Sequence, residues 1–168
     1  LSTVGAGLPI LREAVARLGT YMAGQRTEHL TLDVTVTPDH GHLSGTATLT
    51  VRNHGTPRRR LYFLLNDGLD IRSAHVLAGS TRHEVHAFRA WLLTVIDLGP
   101  PLAPDDTVTL QLQYDGHPGG RPFGTDASVL NARQVLLNVD TFWFPNDVQS
   151  FFTTDVTITL PQHMTVVH

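Results

Sequence analysis

Apolar and polar residues alternate strictly along residues 30–37, and this pattern constrains the fold more than any other feature of the chain. Leucine and valine occupy every second position, with threonine and aspartate between them. Side chains of a β-strand point alternately to its two faces, so one face of this segment is buried and the other faces water. Turn-forming residues 38–41 follow, and residues 43–51 repeat the alternation. The two segments predict an antiparallel hairpin with one apolar face.

Similar short runs recur to the end of the chain, separated by turns rich in glycine, proline and asparagine. No helical pattern intervenes between them, which disfavours crossover units and parallel strands. The sequence therefore predicts an all-β fold of about nine strands with one N-terminal helix. The strands form either an antiparallel β-sandwich or a saddle-shaped twisted sheet. The further strands are predicted at residues 60–65, 71–77, 83–88, 91–97, 107–114, 134–139 and 153–160.

Residues 8–22 differ from the rest, because their apolar residues recur at helical spacing. The residues on this stripe are Leu8, Leu11, Val15, Leu18 and Met22. The opposite side carries few charges, so we expect the stripe to pack on a neighbouring part of the protein rather than on a membrane. We divide the chain into an N-terminal helix or connector, residues 1–26, and a β domain, residues 27–168.

Composition excludes several classes of function. The 168-residue chain has a net charge of -3, which gives no sign of a nucleic-acid partner. Three consecutive arginines at residues 58–60 are interpreted as solvated surface at the start of a strand.

The chain has no cysteine, so disulfides, thiolate zinc sites and cysteine nucleophiles are excluded. Residues 115–133, rich in glycine and proline, are predicted to form a long loop.

The chain begins at Leu1 rather than at methionine and ends within an apolar pattern, which we interpret as a segment of a longer polypeptide. No window reaches the roughly 18 apolar residues of a membrane span, and a signal peptide is lacking. Membrane association is therefore expected only if the parent chain has a membrane region elsewhere. The sequence does not indicate a compartment.

No motif in the sequence forms a complete catalytic or metal site. His83 and His86 lie three apart on a predicted strand, where such positions point to opposite faces. A zinc-binding helix instead places its two histidines four apart. His40 and His42, in and just after a turn, are interpreted as surface residues. We therefore predict no catalytic residue and no metal site in this segment.

The last quarter of the chain contains its most specific arrangement. Residues 143–147, Trp-Phe-Pro-Asn-Asp, precede the alternating segment 153–160, which ends at Pro161. Together with the preceding strands, this arrangement resembles the N-terminal β domain of the zinc aminopeptidases related to aminopeptidase N and leukotriene hydrolase. The resemblance covers residues 28–168. The segments that carry it are residues 30–34, 43–51, 61–65, 110–116, 143–145 and 160–161.

The resemblance implies a β domain that packs on a thermolysin-like catalytic domain and lines one side of a peptide-substrate cleft. That catalytic domain carries a His-Glu-x-x-His pair and a Gly-x-Met-Glu-Asn stretch, and neither occurs in this sequence. Zinc is therefore expected only in a catalytic domain outside this segment. The family's β domain contributes one Gln or Glu to the cleft, for which Gln134 and Asn138 are the candidates. The family pattern is incompletely preserved here, which leaves open whether the parent is an active aminopeptidase.

Four aromatic residues beside the Pro-Asn-Asp turn are candidates for the surface that docks on the catalytic domain. They are Trp143, Phe144, Phe151 and Phe152. An equal interpretation is that they close the end of the sandwich. The alternative function is a free-standing β-sandwich module that binds protein or sugar through loops such as residues 115–128.

Overall fold

Two β-sheets pack face to face in the computed structural model, which describes residues 16–119 and 128–164. Residues 16–22 are helical, and two 3₁₀ turns span Pro38–His40 and Val139–Thr141. The strands of the described residues are β1 (Gln25–Thr37), β2 (His42–Asn53), β3 (Arg58–Leu64), β4 (Leu69–Ala78), β5 (Thr81–Glu84), β6 (His86–Ala90), β7 (Leu93–Leu102), β8 (Thr107–Gly116), β9 (Val129–Asn131), β10 (Gln134–Leu136) and β11 (Thr153–Thr159).

The strands form one large sheet, one small sheet and a separate hairpin. The large sheet has the order β11-β1-β2-β8-β4-β5, and the small sheet has the order β3-β7-β6. The hairpin joins β9 and β10. All pairs are antiparallel except β1 and β11, which run parallel from His29 opposite Thr153 to Thr35 opposite Thr159. The predicted fold class is confirmed. The sequence does not predict that β11 pairs in parallel, because the alternation of apolar and polar residues is the same in a parallel and in an antiparallel pair.

The β1–β2 hairpin forms as the alternation predicts. The apolar positions of β1 are buried from Leu30 to Val36, and the intervening positions are exposed. Leu32 lies opposite Ala47, so both strands present their apolar residues to the same side. The turn between them ends at Gly41, whose φ of 59° lies in the left-handed region that glycine adopts without strain.

The main core lies between the two sheets. It combines buried residues of β1, β2, β4 and β8 from the large sheet with residues of β3 and β7 from the small one. Tyr114 is the largest fully buried side chain, and it packs directly over Gly45. A Cβ at Gly45 would lie 2.7 Å from the Tyr114 ring. Glycine at this position therefore makes room for the tyrosine.

The N-terminal helix packs on the β domain where it is described. Met22 is fully buried in a second cluster with Leu64, Leu92 and Phe142, and Leu18 packs beside it. Residues 8–15 of the predicted helix lie outside the described residues. The apolar stripe therefore contacts protein at its C-terminal end, as its spacing indicates.

The predicted strand at residues 83–88 is divided in the structure. Residues up to Glu84 belong to β5 in the large sheet, and residues from His86 belong to β6 in the small one. Between them, the backbone N of Val85 donates a hydrogen bond to the carbonyl of Ala74 at 2.9 Å. The chain changes sheet at this point while its apolar alternation continues, so the sequence gives no sign of the break.

The predicted loop at residues 115–133 is shorter in the structure at both ends. β8 continues to Gly116, and β9 begins at Val129. Residues 120–127 of that loop lie outside the described part of the chain. The strand predicted at residues 134–139 also ends early, because a 3₁₀ turn begins at Val139.

Candidate docking groove

The β9–β10 hairpin carries Gln134, and its turn is closed by a side chain. Oδ1 of Asn131 accepts hydrogen bonds from the backbone N of Arg133 at 2.9 Å and of Gln134 at 3.0 Å. Asparagine stabilises turns in this way. The Gln134 side chain is exposed. Its amide is therefore accessible to a ligand or partner outside the domain.

Asn138 begins the 3₁₀ turn that follows β10, and its amide serves that turn. Its Oδ1 accepts a hydrogen bond from the backbone N of Asp140 at 3.1 Å, as a capping residue does. Its backbone N donates to Oγ of Ser128 at 3.0 Å, and its carbonyl accepts from the hydroxyl of Thr141 at 2.6 Å. Of the two candidates for a cleft-side residue, the Asn138 side chain thus caps the 3₁₀ turn, whereas the Gln134 side chain is exposed.

A groove of about 590 Å³ separates the hairpin from β11. Val156 of β11 lies opposite Leu32 and therefore faces the core side of the large sheet. Leu32 is buried, whereas Val156 is 48% exposed. The core side of the large sheet is thus uncovered at its β11 edge. The groove is lined by residues 132–137 and by Ile158, Leu160, His163 and Met164.

Apolar side chains next to this groove are unusually exposed. Leu136 of the hairpin is 47% exposed, and Val139 of the following turn is 51% exposed. The polar groups of the groove are Arg133, Gln134 and His163. An exposed apolar strip with a few polar groups is typical of a surface that contacts another protein.

The four aromatic candidates lie in different environments. Trp143 and Phe144 are 8% and 7% exposed, belong to the main core, and pack edge to face with ring centroids 4.8 Å apart. Phe152 is partly buried against the same core, whereas Phe151 is 94% exposed. Trp143 and Phe144 therefore close the end of the sandwich and present little surface for docking. Of these four residues, only Phe151 exposes its whole ring.

The turn that follows Trp143 and Phe144 is held by Asp147, whose hydrogen-bond partners were not predicted from the sequence. Its carboxylate accepts hydrogen bonds from the backbone N and hydroxyl of Thr27 at 2.9 and 2.7 Å. It also accepts from the backbone N and hydroxyl of Ser150 at 3.0 and 2.6 Å. Asn146 and Leu64 exchange two backbone hydrogen bonds beside it. The only signal in the sequence was a Ser three residues after an Asp, a common turn pattern.

The histidines of the described chain do not gather into a metal centre. His83 and His86 lie on β5 and β6, in different sheets, and His42 contacts the Asp115 carboxylate at 3.4 Å. Across residues 16–119 and 128–164, no three His, Asp or Glu side chains are placed to hold a metal ion. The helical residues of the same ranges include no helix long and apolar enough to cross a membrane.

Solved structures of M1 zinc metallopeptidases are similar to this chain in fold. The enzyme from Deinococcus radiodurans matches with a TM-score of 0.58 at 24% identity, covering 81% of this chain and 33% of that one. A mutant from the same organism, bound to a Tyr-Ser-Ala substrate, gives a TM-score of 0.59 with the same identity and coverage. A two-domain M1 zinc metallopeptidase mutant bound to L-arginine matches at 25% identity with a TM-score of 0.59, covering 80% and 33% of the two chains. No protein-family model and no curated protein matches the sequence.

The chain thus resembles a domain of M1 zinc metallopeptidases and spans about a third of the length of those chains. The resemblance identified from the sequence is supported at the level of the fold. The remaining two thirds of those chains have no counterpart here.

Proposed function

We propose that this β domain is a non-catalytic part of a zinc metallopeptidase-like protein, packing through the groove beside β11 on a catalytic domain and lining its peptide-substrate cleft. The observation that carries the proposal is the fold match, which covers 81% of this chain but only 33% of a two-domain enzyme. A segment that matches one part of such an enzyme is expected to act together with the other part.

The groove and exposed apolar residues near it in the sequence supply the contact surface in this proposal. Leu136 lines the groove, Val139 follows the hairpin, and Val156 lies on β11 two positions before Ile158 of the groove. These three residues are each about half exposed, and Phe151, which precedes β11, is almost wholly exposed. Covering the exposed half of an aliphatic side chain is worth about 1 kcal/mol. The three aliphatic residues together therefore favour association with an apolar partner face, and Phe151 adds a ring that fits a pocket on the partner.

Gln134 supplies a polar contact to the cleft in this proposal. A primary amide both donates and accepts hydrogen bonds, so it matches the N–H and C=O groups of a peptide backbone. Its position at the start of β10 keeps its backbone fixed while the side chain stays exposed.

Within residues 16–119 and 128–164, no three His, Asp or Glu side chains lie close enough together to hold a metal ion. In the proposal, zinc is held by the catalytic domain. No chemical step is assigned to the segment itself.

The experiment is to produce the 168-residue chain and the polypeptide that follows it in its reading frame separately, and to measure their association by sedimentation. We expect a one-to-one complex. The double change Leu136→Ser with Val156→Ser should weaken it about 30-fold, because about 2 kcal/mol of apolar burial is lost. The matched control is Phe88→Ser, which removes a 55% exposed side chain from β6 in the small sheet. Binding that is unaffected by the changes at Leu136 and Val156, or a reading frame without a metallopeptidase-like continuation, would contradict the proposal.

Hydrolysis tests the cleft-side role. In the complete protein, Gln134→Ala should lower kcat/KM for aminoacyl amides about five- to tenfold without changing the zinc content, because one substrate hydrogen bond is lost. Gln113→Ala, an exposed glutamine on β8, is the control and should leave kcat/KM unchanged. Equal activities of the Gln134 variant and wild type would remove Gln134 from the cleft.

A further inference from the structure

A second concave site lies at the other end of β1 from the groove. It is an open pocket of about 490 Å³ between the helical residue Tyr21, the first residues of β3 and Asp97 of β7. Gln25 at the start of β1 hydrogen-bonds to Arg58 and Tyr62, which line the pocket, and Val34 near its end pairs with Ile158, which lines the groove. At about 3.3 Å per residue these two β1 positions are separated by about 30 Å, so the pocket and the groove are separate sites.

Three arginines and one carboxylate determine the charge of this pocket. The pairing of β3 with β7 is irregular here: Arg58 lies opposite Leu102 and Arg60 lies opposite Asp97, so β7 has the extra residues between these two pairs. Nε of Arg59 lies 2.8 Å from one oxygen of Asp97, and Nε of Arg60 lies 3.8 Å from the other. Asp97 is the only acidic residue among those that line the pocket, which leaves a surplus of two positive charges.

Arg58 is the arginine without a carboxylate. Its guanidinium donates hydrogen bonds to the carbonyl of Ala23 and, at 3.5 Å, to Oε1 of Gln25. Its Nε is buried and has no hydrogen-bond partner within the described part of the chain. Burial lowers the pKa of Arg58, but arginine keeps its proton in proteins. A charge that is partly desolvated without an anion is costly, and a bound anion would offset that cost.

Two tyrosines form the flat side of the pocket. The rings of Tyr21 and Tyr62 stack with centroids 5.3 Å apart, and Tyr21 is 51% exposed. This stack fixes the helical residues against β3. The exposed guanidinium groups of Arg59 and Arg60 therefore line a pocket that the stacked rings of Tyr21 and Tyr62 also line.

We propose that this pocket binds an oxyanion of the phosphate type. A phosphate dianion matches the surplus of two charges, whereas a single carboxylate neutralises half of it. Phosphate also has enough oxygens to accept from several guanidinium forks at once, and arginine binds it in bidentate geometry. The same chemistry is offered by a soluble phosphate compound and by the phosphate of a lipid headgroup.

The test is titration of the 168-residue chain with inorganic phosphate at constant ionic strength, followed through the Nε–H resonances of its arginines. We expect saturable shifts for the arginines at 58–60. The double variant Arg59→Gln with Arg60→Gln should bind at least tenfold more weakly. Arg82→Gln removes a charge from exposed β5 and is the matched control, which should bind as wild type does. Thermal unfolding of each variant shows whether the fold is kept. Shifts that do not saturate, or an equal loss in the Arg82 variant, would overturn the proposal.

A second measurement distinguishes the source of the phosphate. Vesicles of phosphatidylcholine with phosphatidic acid are sedimented with the protein. Binding that depends on Arg59 and Arg60 and is displaced by inorganic phosphate assigns the site to a lipid headgroup. Phosphate binding without vesicle binding assigns it to a soluble phosphate compound. Preference for a glutamate-rich peptide, with no saturable phosphate binding, would show that the site takes protein carboxylates and would overturn the proposal.

Discussion

The carboxylate of Asp147 is buried between two segments that are 120 residues apart in the sequence. Replacing it by alanine removes the acceptor of the Thr27 and Ser150 hydroxyls and of the Ser150 backbone N, whereas the backbone N of Thr27 keeps the Ser150 hydroxyl as an acceptor. We expect Asp147→Ala to lower the free energy of unfolding by about 3 kcal/mol. Urea denaturation measures this loss. Asp33→Ala, at an exposed position of β1, is the control and should change stability by less than about 0.5 kcal/mol. Equal losses in both variants would contradict the structural role given to Asp147.

At the scale of single residues, the sequence identified which positions are apolar and which turns are fixed, but not the long-range partners. The Pro-Asn-Asp turn was visible, yet the bond from Asp147 to Thr27 was not, because the pairing depends on where β1 lies in the folded chain. The sequence around Trp143 and Phe144 was equally consistent with a position in the core and with a position on a docking surface. Burial separates them from Phe151, since only the structure shows which side chains face the sandwich.

At the scale of strands and turns, the alternation of apolar and polar residues predicted the positions of most strands and which face of each is buried. It did not predict which strands pair with one another in the sheets. The change of sheet between His83 and His86 and the parallel direction of β11 both follow from tertiary packing, which local pattern does not encode. The strand that carries Gln134 was predicted from the sequence, but its hairpin partner β9 was not, because β9 is only three residues long.

Two ion pairs between strands are expected to make the free energy of unfolding depend on pH. The hydrogen bond from Arg59 of β3, followed by that from the backbone N of Gly99, lowers the pKa of Asp97 in β7. The hydrogen bond from Arg72 of β4 is the main cause that lowers the pKa of Asp115 in β8. Each folded pKa lies below the unfolded value, so the stabilisation is present above about pH 4 and is lost as the pH falls through the lowered pKa.

The variant with Asp97→Asn and Asp115→Asn should therefore lose less stability than wild type when the pH falls from about 5 to about 2. Thermal unfolding across this range measures the difference. Asp33→Asn, exposed on β1, should keep the wild-type dependence on pH. A double variant with the full wild-type loss would show that these ion pairs do not act in the folded state.

At the scale of the whole molecule, the function proposed above predicts that this segment alone is inactive. The purified 168-residue chain should bind less than stoichiometric zinc after dialysis and should not hydrolyse aminoacyl amides. Metal analysis and an amide-hydrolysis assay test this expectation. The hydrolysis assay is run with zinc added, so that a lack of metal does not cause the inactivity. One tightly held zinc per chain together with turnover would contradict it.

The parallel pair of β1 and β11 also determines how the domain carries mechanical load. The chain enters β1 and leaves β11 at opposite ends of the same pair, so a pull between residues 25 and 159 runs along the strands. Seven paired positions are then sheared together, instead of being unzipped one after another. Under such a pull the domain extends little, and it unfolds only when the whole β1–β11 ladder breaks at once.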